Sequence, residues 1–117
     1  LNQELPNLYN KFKFFILCSK YEGNPKTLLE AMSSGSIVIG SNVEGINSII
    51  KNKQNGFLIN SKIGDLEKVF KLILSGQINL NEIKQNAEHY ISQNHSLEML
   101  TKIELQDYDK HLRIKSL

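Results

Sequence analysis

FKFFILCSKYEGNPKTLLEAMSSGSIVIG, residues Phe12 to Gly40, changes character three times in a short span. Phe14-Phe15-Ile16-Leu17-Cys18 is continuously apolar, aromatic and β-branched, and is bounded by Lys13 and Ser19. A run that short and that apolar predicts a strand covered on both faces, as in a parallel sheet. Ser19 to Asn24 is a polar turn. Asn24 then suits an N-cap and Pro25 the first helical position, where its missing N–H costs nothing. Leu28, Leu29, Ala31 and Met32 cover much of the next helix, which runs from Lys26 to about Ser34 and stops at Gly35. Ile37-Val38-Ile39, ending at Gly40-Ser41, is a second wholly apolar strand.

The pattern continues in both directions. Upstream, Leu5, Leu8, Tyr9 and Phe12 recur at helical spacing, with Pro6 in the first turn. Downstream, Ile46, Ile49 and Ile50 predict a short helix. Asn55-Gly56 is a turn and Phe57-Leu58-Ile59 a third strand. Asp65 is expected to cap a helix carrying Leu66, Val69, Phe70, Ile73 and Leu74, which Gly76 ends. Asn79 with Glu82 reads as a capping box for a helix presenting Ile83, Ala87, Tyr90 and Ile91. Ser96 is expected to cap a last helix through Leu97, Leu100, Ile103 and Leu105 to about His111.

Strand–helix alternation followed by helices implies an α/β fold. The prediction is a partial Rossmann-like three-layer domain with parallel strands near 13–18, 37–40 and 57–59, then two or three carboxyl-terminal helices. A doubly wound domain has five or six strands. Three strands, with an apolar first strand lacking a second neighbour, predict that residues 1–117 are a single, incomplete domain, the second half of a larger one.

Composition narrows the function. The 117 residues carry a net charge of +2, 40% hydrophobic and 22% charged residues, and one Cys. Near-balance of charge gives no electrostatic case for nucleic acid. A single Cys excludes an internal disulfide framework and a Cys-rich zinc site. Cys18 reads as a small buried hydrophobe. His89, His95 and His111 read as surface or capping residues. The lysines at 51, 53, 62, 68 and 71 read as a solvated face, with a weak contact to an anionic lipid surface as the minor alternative.

The chemistry concentrates at the strand-to-helix corner. Ligands of parallel sheets bind at the carboxyl ends of strands. The first N–H groups of a helix lack intrahelical partners, and the helix dipole adds partial positive charge, so this end can hold a phosphate. Gly23 allows close backbone approach, and Thr27 adds a hydroxyl. Glu22 precedes the helix, and Glu30 lies three residues after Thr27 on the same face. A carboxylate accepts two hydrogen bonds at once, which suits the vicinal diol of a ribose or hexose. Two such groups about a phosphate-binding corner outline a nucleotide-sugar. The bland readings are a solvated loop Glu22, a structural Thr27 and a solvated Lys26. Among Leu28, Leu29, Ala31 and Met32, however, Glu30 needs a partner.

Glu22 and Glu30, separated by seven residues within YEGNPKTLLEAMSSG, together with SIVIGSNVEGINSII, NGFLI (Asn55 to Ile59) and NAEHYISQNHS (Asn86 to Ser96), carry a resemblance covering nearly the whole chain. In these motifs and their order it resembles the carboxyl-terminal, donor-binding domain of the GT-B-fold retaining glycosyltransferases, the large group 1 family. The resemblance implies a hexosyltransferase that moves a hexose from a UDP- or GDP-linked sugar to a glycan or lipid acceptor with retention of configuration. It implies that Glu22 positions the donor sugar at the reaction centre, with the backbone N–H groups of Gly23 and Asn24 meeting that sugar. Lys26, Thr27 and Leu28 would face the diphosphate, chiefly through backbone N–H groups, and Glu30 would bind the ribose hydroxyls. No metal or other cofactor is implied; the nucleotide-sugar is substrate. A cytoplasmic enzyme is implied, at the inner face of the membrane where the acceptor is a lipid.

The sequence departs from the family in three places. Asn24 stands where many members carry an aromatic residue. Glu44-Gly45 replaces a Gly-Gly pair, and Ser48 replaces the Glu that follows it. The basic pair for the diphosphate and the acceptor-binding domain match no residue of these 117. The competing expectation is a non-catalytic piece: a truncated product, or a subunit that completes another chain's sheet.

Overall fold

The computed structural model describes residues 10–18, 25–60, 62 and 64–94. In order these form β1 (Phe14–Leu17), α1 (Lys26–Ser33), β2 (Ile37–Ser41), β3 (Phe57–Ile59), α2 (Asp65–Leu74) and α3 (Leu80–Asn94). The three strands make one parallel sheet in the order β1-β2-β3. Phe14 pairs with Ile37 and Leu17 with Gly40, while Ile39 pairs with Phe57 and Ser41 with Ile59. The α/β, three-layer reading holds. Of the expected first helix, Asn10 and Lys11 are helical, Phe12 already lies past the helix, and residues 5–9 lie outside the described residues, as does the helix expected after Ser96.

Strand alternation divides the core in two. Ile37, Ile39, Phe57 and Ile59 face α2, where Val69 and Ile73 meet them with Phe14 and Phe70 at the margin. The Phe14 and Phe70 rings lie 5.4 Å apart at 57°, a tilted arrangement suited to their quadrupoles. Val38 faces the opposite layer with Leu28, Leu29, Ala31 and Met32 of α1 and Ile46, Ile49 and Ile50. α3 contributes to both cores: Leu80 and Ile83 to the first, Ala87 and Ile91 to the second. Each buried Leu or Ile side chain supplies about 1.5–3 kcal/mol of apolar transfer free energy and the Ala87 methyl about 0.8, so α3 fastens the two layers to one sheet.

Several local expectations need correction. β1 is a sheet edge among the described residues, not a strand covered on both faces: Ile16 is 42% exposed. Cys18 is exposed, not buried, because it lies just past the edge strand, whose outer side no described element covers. Pro25 is the N-cap rather than the first helical residue; its carbonyl accepts the first intrahelical bond, from Leu29 N–H at 3.0 Å. Gly64, at φ +91°, rather than Asp65, takes the cap position of α2. The Asp65 carboxylate instead accepts from Lys62 N–H at 3.3 Å. The Ile46–Ile50 segment is two single turns rather than a helix, closed on the carbonyls of Val43 and Ile46. Gly45 sits inside the first of them at φ +93°, a conformation no right-handed helix accommodates.

Other signals hold. Gly35 (φ +86°) follows the end of α1 and Gly76 (φ +81°) that of α2. Asn79 Oδ1 accepts from Glu82 N–H at 3.2 Å, which satisfies one orphan donor at the start of α3. The Asn-Gly turn is more specific than expected. Asn55 is buried and closes the turn with its side chain, whereas the left-handed residue is Lys53, at φ 65°. Gly56 enters the ladder as a bridge to Asn52.

Candidate functional site

The site expected at the start of α1 falls partly outside the described residues: Glu22, Gly23 and Asn24 lie there. Lys26, Thr27, Leu28 and Glu30 are described. Because helix α1 begins after Pro25, the N–H groups of Lys26, Thr27 and Leu28 have no intrahelical acceptor. Pro25 supplies no side-chain cap, and no acidic residue occupies the first turn. Among the described residues, neither a side-chain cap nor a first-turn carboxylate neutralises this end of the helix. Thr27 is exposed. Leu28 is fully buried, so only its backbone N–H can serve a ligand.

Lys26 and Glu30 form an ion pair, Nζ to Oε1 at 3.6 Å. The Lys26 side chain is 17% exposed and that of Glu30 39%. Glu30 Oε1 is buried and makes no hydrogen bond. The contact is thus too long to satisfy the oxygen, and the carboxylate keeps acceptor capacity that burial makes costly to leave unused. The pairing also runs against helix electrostatics. A cation in the first turn opposes the dipole, and Lys preceding Glu by four residues is the weaker orientation of such a pair.

The neighbouring carboxyl strand end belongs to β2. Ser41 is buried there, its Oγ donating to Leu17 O at 3.5 Å, which links β1 and β2. The loop beyond carries the residues that depart from the family pattern. Glu44 is exposed, and the exposed Ser48 donates its hydroxyl to Gly45 O at 3.2 Å. That hydroxyl braces the loop's own backbone.

Among the described residues, grooves elsewhere contain none of Lys26, Thr27 and Glu30, and two of these flank β3 and α3. One runs beside β3 and α2, past Asn60, Asp65 and Lys68. The other, of about 440 Å³, lies between the 51–55 turn and α3, against Asn86, His89, Tyr90 and Gln93. His89 is exposed on α3, and the lysines at 51, 53, 62, 68 and 71 are exposed. Among the described residues no cluster of His, Cys, Asp or Glu could hold a metal ion, and no helix is long and apolar enough to cross a membrane. What sequence reasoning missed is Asn55, a buried carboxamide with two backbone partners; its Asn-Gly signal announced a turn but not the burial.

Known proteins resemble this chain in sequence and in fold. A model of the family described as "Glycosyl transferases group 1" matches residues 1–90. An Escherichia coli UDP-Gal:alpha-D-GlcNAc-diphosphoundecaprenol alpha-1,3-galactosyltransferase is 35% identical over 71 residues, covering 61% of this chain and 18% of the relative. The GtfA subunit of a UDP-N-acetylglucosamine–peptide N-acetylglucosaminyltransferase from Streptococcus pneumoniae is 34% identical over 76 residues, 64% of this chain and 15% of the relative. The chain therefore spans under a fifth of the length of these curated relatives. Among solved structures, a glycosyltransferase from Rickettsia africae superposes with a TM-score of 0.60 at 25% identity, over 91% of this chain and 29% of that one. The carboxyl-terminal domain of a group 1 family protein from Francisella tularensis gives 0.60 at 26%, over 80% and 49%. With a family match running from residue 1 through most of α3, and a parallel sheet shared with those structures, the chain belongs to the glycosyl transferases group 1 family.

Proposed function

We propose that this chain is the nucleotide-binding part of the donor site of a retaining, GT-B-type hexosyltransferase. The observation that carries the reading is the α1 entrance. Three backbone N–H groups without intrahelical acceptors stand beside a largely buried Lys26, while Glu30 Oε1 makes no hydrogen bond. In this reading the N–H groups of Lys26, Thr27 and Leu28 hold the diphosphate of the donor and stabilise the charge that develops on it as it leaves. Glu30 accepts from the ribose hydroxyls. Glu22 meets the hydroxyls of the hexose and positions its anomeric carbon, and Gly23 and Asn24 approach the same sugar through their backbone. The acceptor is a glycan or a lipid-linked glycan, a class suggested by the diphosphoundecaprenol in the name of the Escherichia coli relative. The compartment proposed is the cytoplasm, at the membrane where the acceptor is a lipid.

Isothermal titration of the full chain with UDP and with GDP tests the reading. One nucleoside diphosphate should bind more tightly than its nucleoside, because the α1 entrance recognises phosphate. A chain that is folded by circular dichroism and binds neither would overturn it.

A second reading is favoured by β1. Its exposed Ile16, on an edge with no described neighbour, suits a piece that completes another chain's sheet. Turnover of a nucleotide-sugar by the purified 117-residue chain would exclude that reading.

A further inference from the structure

We propose that Asn55 is a latent deamidation site, closed while the chain is folded and opened when the 51–56 turn unfolds. Asn55 precedes Gly56. A glycine offers the least hindered backbone nitrogen and the freest backbone, which is what attack on the preceding carboxamide requires. The nitrogen of Gly56 bonds to Cγ of Asn55, closing a five-membered succinimide. The Cγ–Nδ2 bond breaks, and ammonia leaves carrying the proton lost by the Gly56 amide. Water then opens the ring at either carbonyl, giving an aspartyl or an isoaspartyl linkage. Water is the sole co-reactant.

The fold needs both halves of this vulnerable dipeptide. A Cβ on Gly56 would lie 2.7 Å from Val38 Cγ2 and 2.9 Å from Val38 O. Asn55 is 5% exposed. Its Oδ1 accepts from Lys51 N–H at 2.8 Å, and its Nδ2 donates to Ile49 O at 3.1 Å. No other uncharged side chain of that length both accepts and donates in this way. The two bonds that make Asn55 necessary also protect it. They hold the carboxamide in place and keep water from it, and ring closure requires both to break.

The damage does not reverse. A carboxylate at position 55 cannot donate to Ile49 O and would place a charge in a buried site. An isoaspartyl linkage adds a methylene to the main chain one residue before Gly56, where the approach to Val38 leaves no room. A chain that opens here and reacts cannot rebuild the turn that leads into β3.

Asn47 is the internal control. It precedes Ser48, is exposed, and its side chain donates to Asn42 Oδ1, at 3.2 Å on the surface. The full chain is incubated in mildly alkaline buffer with and without urea, and both peptides are followed by mass spectrometry. In the folded chain Asn47 should react ahead of Asn55. In urea the order should reverse, with Asn55 reacting at least about tenfold faster than when folded, equivalent to an opening cost above about 1.4 kcal/mol. After urea is removed, the deamidated fraction should fail to regain native circular dichroism. If Asn55 leads in both conditions, or if chains deamidated at Asn55 refold like the rest, the proposal is wrong.

Discussion

Replacing Glu30 by Gln separates what this residue does for the fold from what it does for a ligand. Gln keeps the shape and one acceptor oxygen and removes the charge. The fold loses little. The partner, Lys26, stands 3.6 Å away across a pair that is 39% exposed on the Glu side, and Lys precedes Glu along the helix. Such pairs contribute at most about 0.5 kcal/mol. The melting temperature should therefore stay close to that of the native chain. Binding should not. If both oxygens of Glu30 take ribose hydroxyls, losing a hydrogen bond to a charged acceptor costs about 1.5–3 kcal/mol. That is about a 10- to 150-fold rise in Kd. Titration with UDP or GDP measures it, and the 2′-deoxy nucleotide supplies the cross-check. The native chain should discriminate against the deoxy compound, and the E30Q chain should have lost most of that discrimination. Equal Kd values for the native and variant chains, with the native chain still preferring the ribonucleotide, would show that another group reads the sugar.

Three further outcomes are expected. Lys26→Met should weaken UDP binding and leave uridine binding unchanged in titration, because in the proposed reading the lost cation stands beside the phosphate-binding N–H groups; equal loss for both would remove the phosphate from its role. Gly56→Ala should lower the urea midpoint by the equivalent of about 1–3 kcal/mol, the usual cost of overpacking, since the new methyl meets Val38 side chain and backbone at once. Asn79→Ala should cost about 1 kcal/mol in the same assay, by unpairing Glu82 N–H at the start of α3.

The order of elements was legible because each strand and helix signalled itself locally. Ile37-Val38-Ile39 read as a wholly apolar strand, and Gly35 and Gly76 ended their helices where the chain needs positive φ. Burial of β1 was not legible. An apolar run reports that a strand is sticky, not whether a neighbour lies beside it, so Ile16 reads like Ile39 but is 42% exposed. Cap residues shifted by one for a related reason. Pro25 lacks an N–H and suits either the cap or the first helical position, and Gly64 at φ +91° competes with Asp65 for the start of α2. Ile46, Ile49 and Ile50 do face one core. Their spacing arises from two separate turns around Gly45, which a periodicity argument cannot distinguish from one helix. At the site, the sequence placed Glu30 on the face of Thr27 and left Lys26 solvated, although a spacing of four allows Lys26 and Glu30 to meet. It could not announce that the Lys would be the more buried of the two, or that Glu30 Oε1 would lack a hydrogen bond.

That last pair of facts bears on why Lys26 is where it is. As a contributor to the helix it is misplaced. It adds positive charge to the positive end of the dipole, in a first turn without an acidic residue to offset it. Glu30, four residues further on, lies on the side that gives the weaker pairing. The Lys26 side chain is buried to 17% exposure, which costs it rotamer freedom. A sequence optimised for stability alone would carry Glu or Asp here and a cation in the last turn, which in α1 carries none. Departures of this kind are expected where a chain accepts a local cost for a ligand. In the proposed reading an anion at the α1 entrance would reverse each term at once: the dipole, the first-turn N–H groups and the Lys26 ammonium would then act in the same direction, and Glu30 would be released to accept from hydroxyl groups.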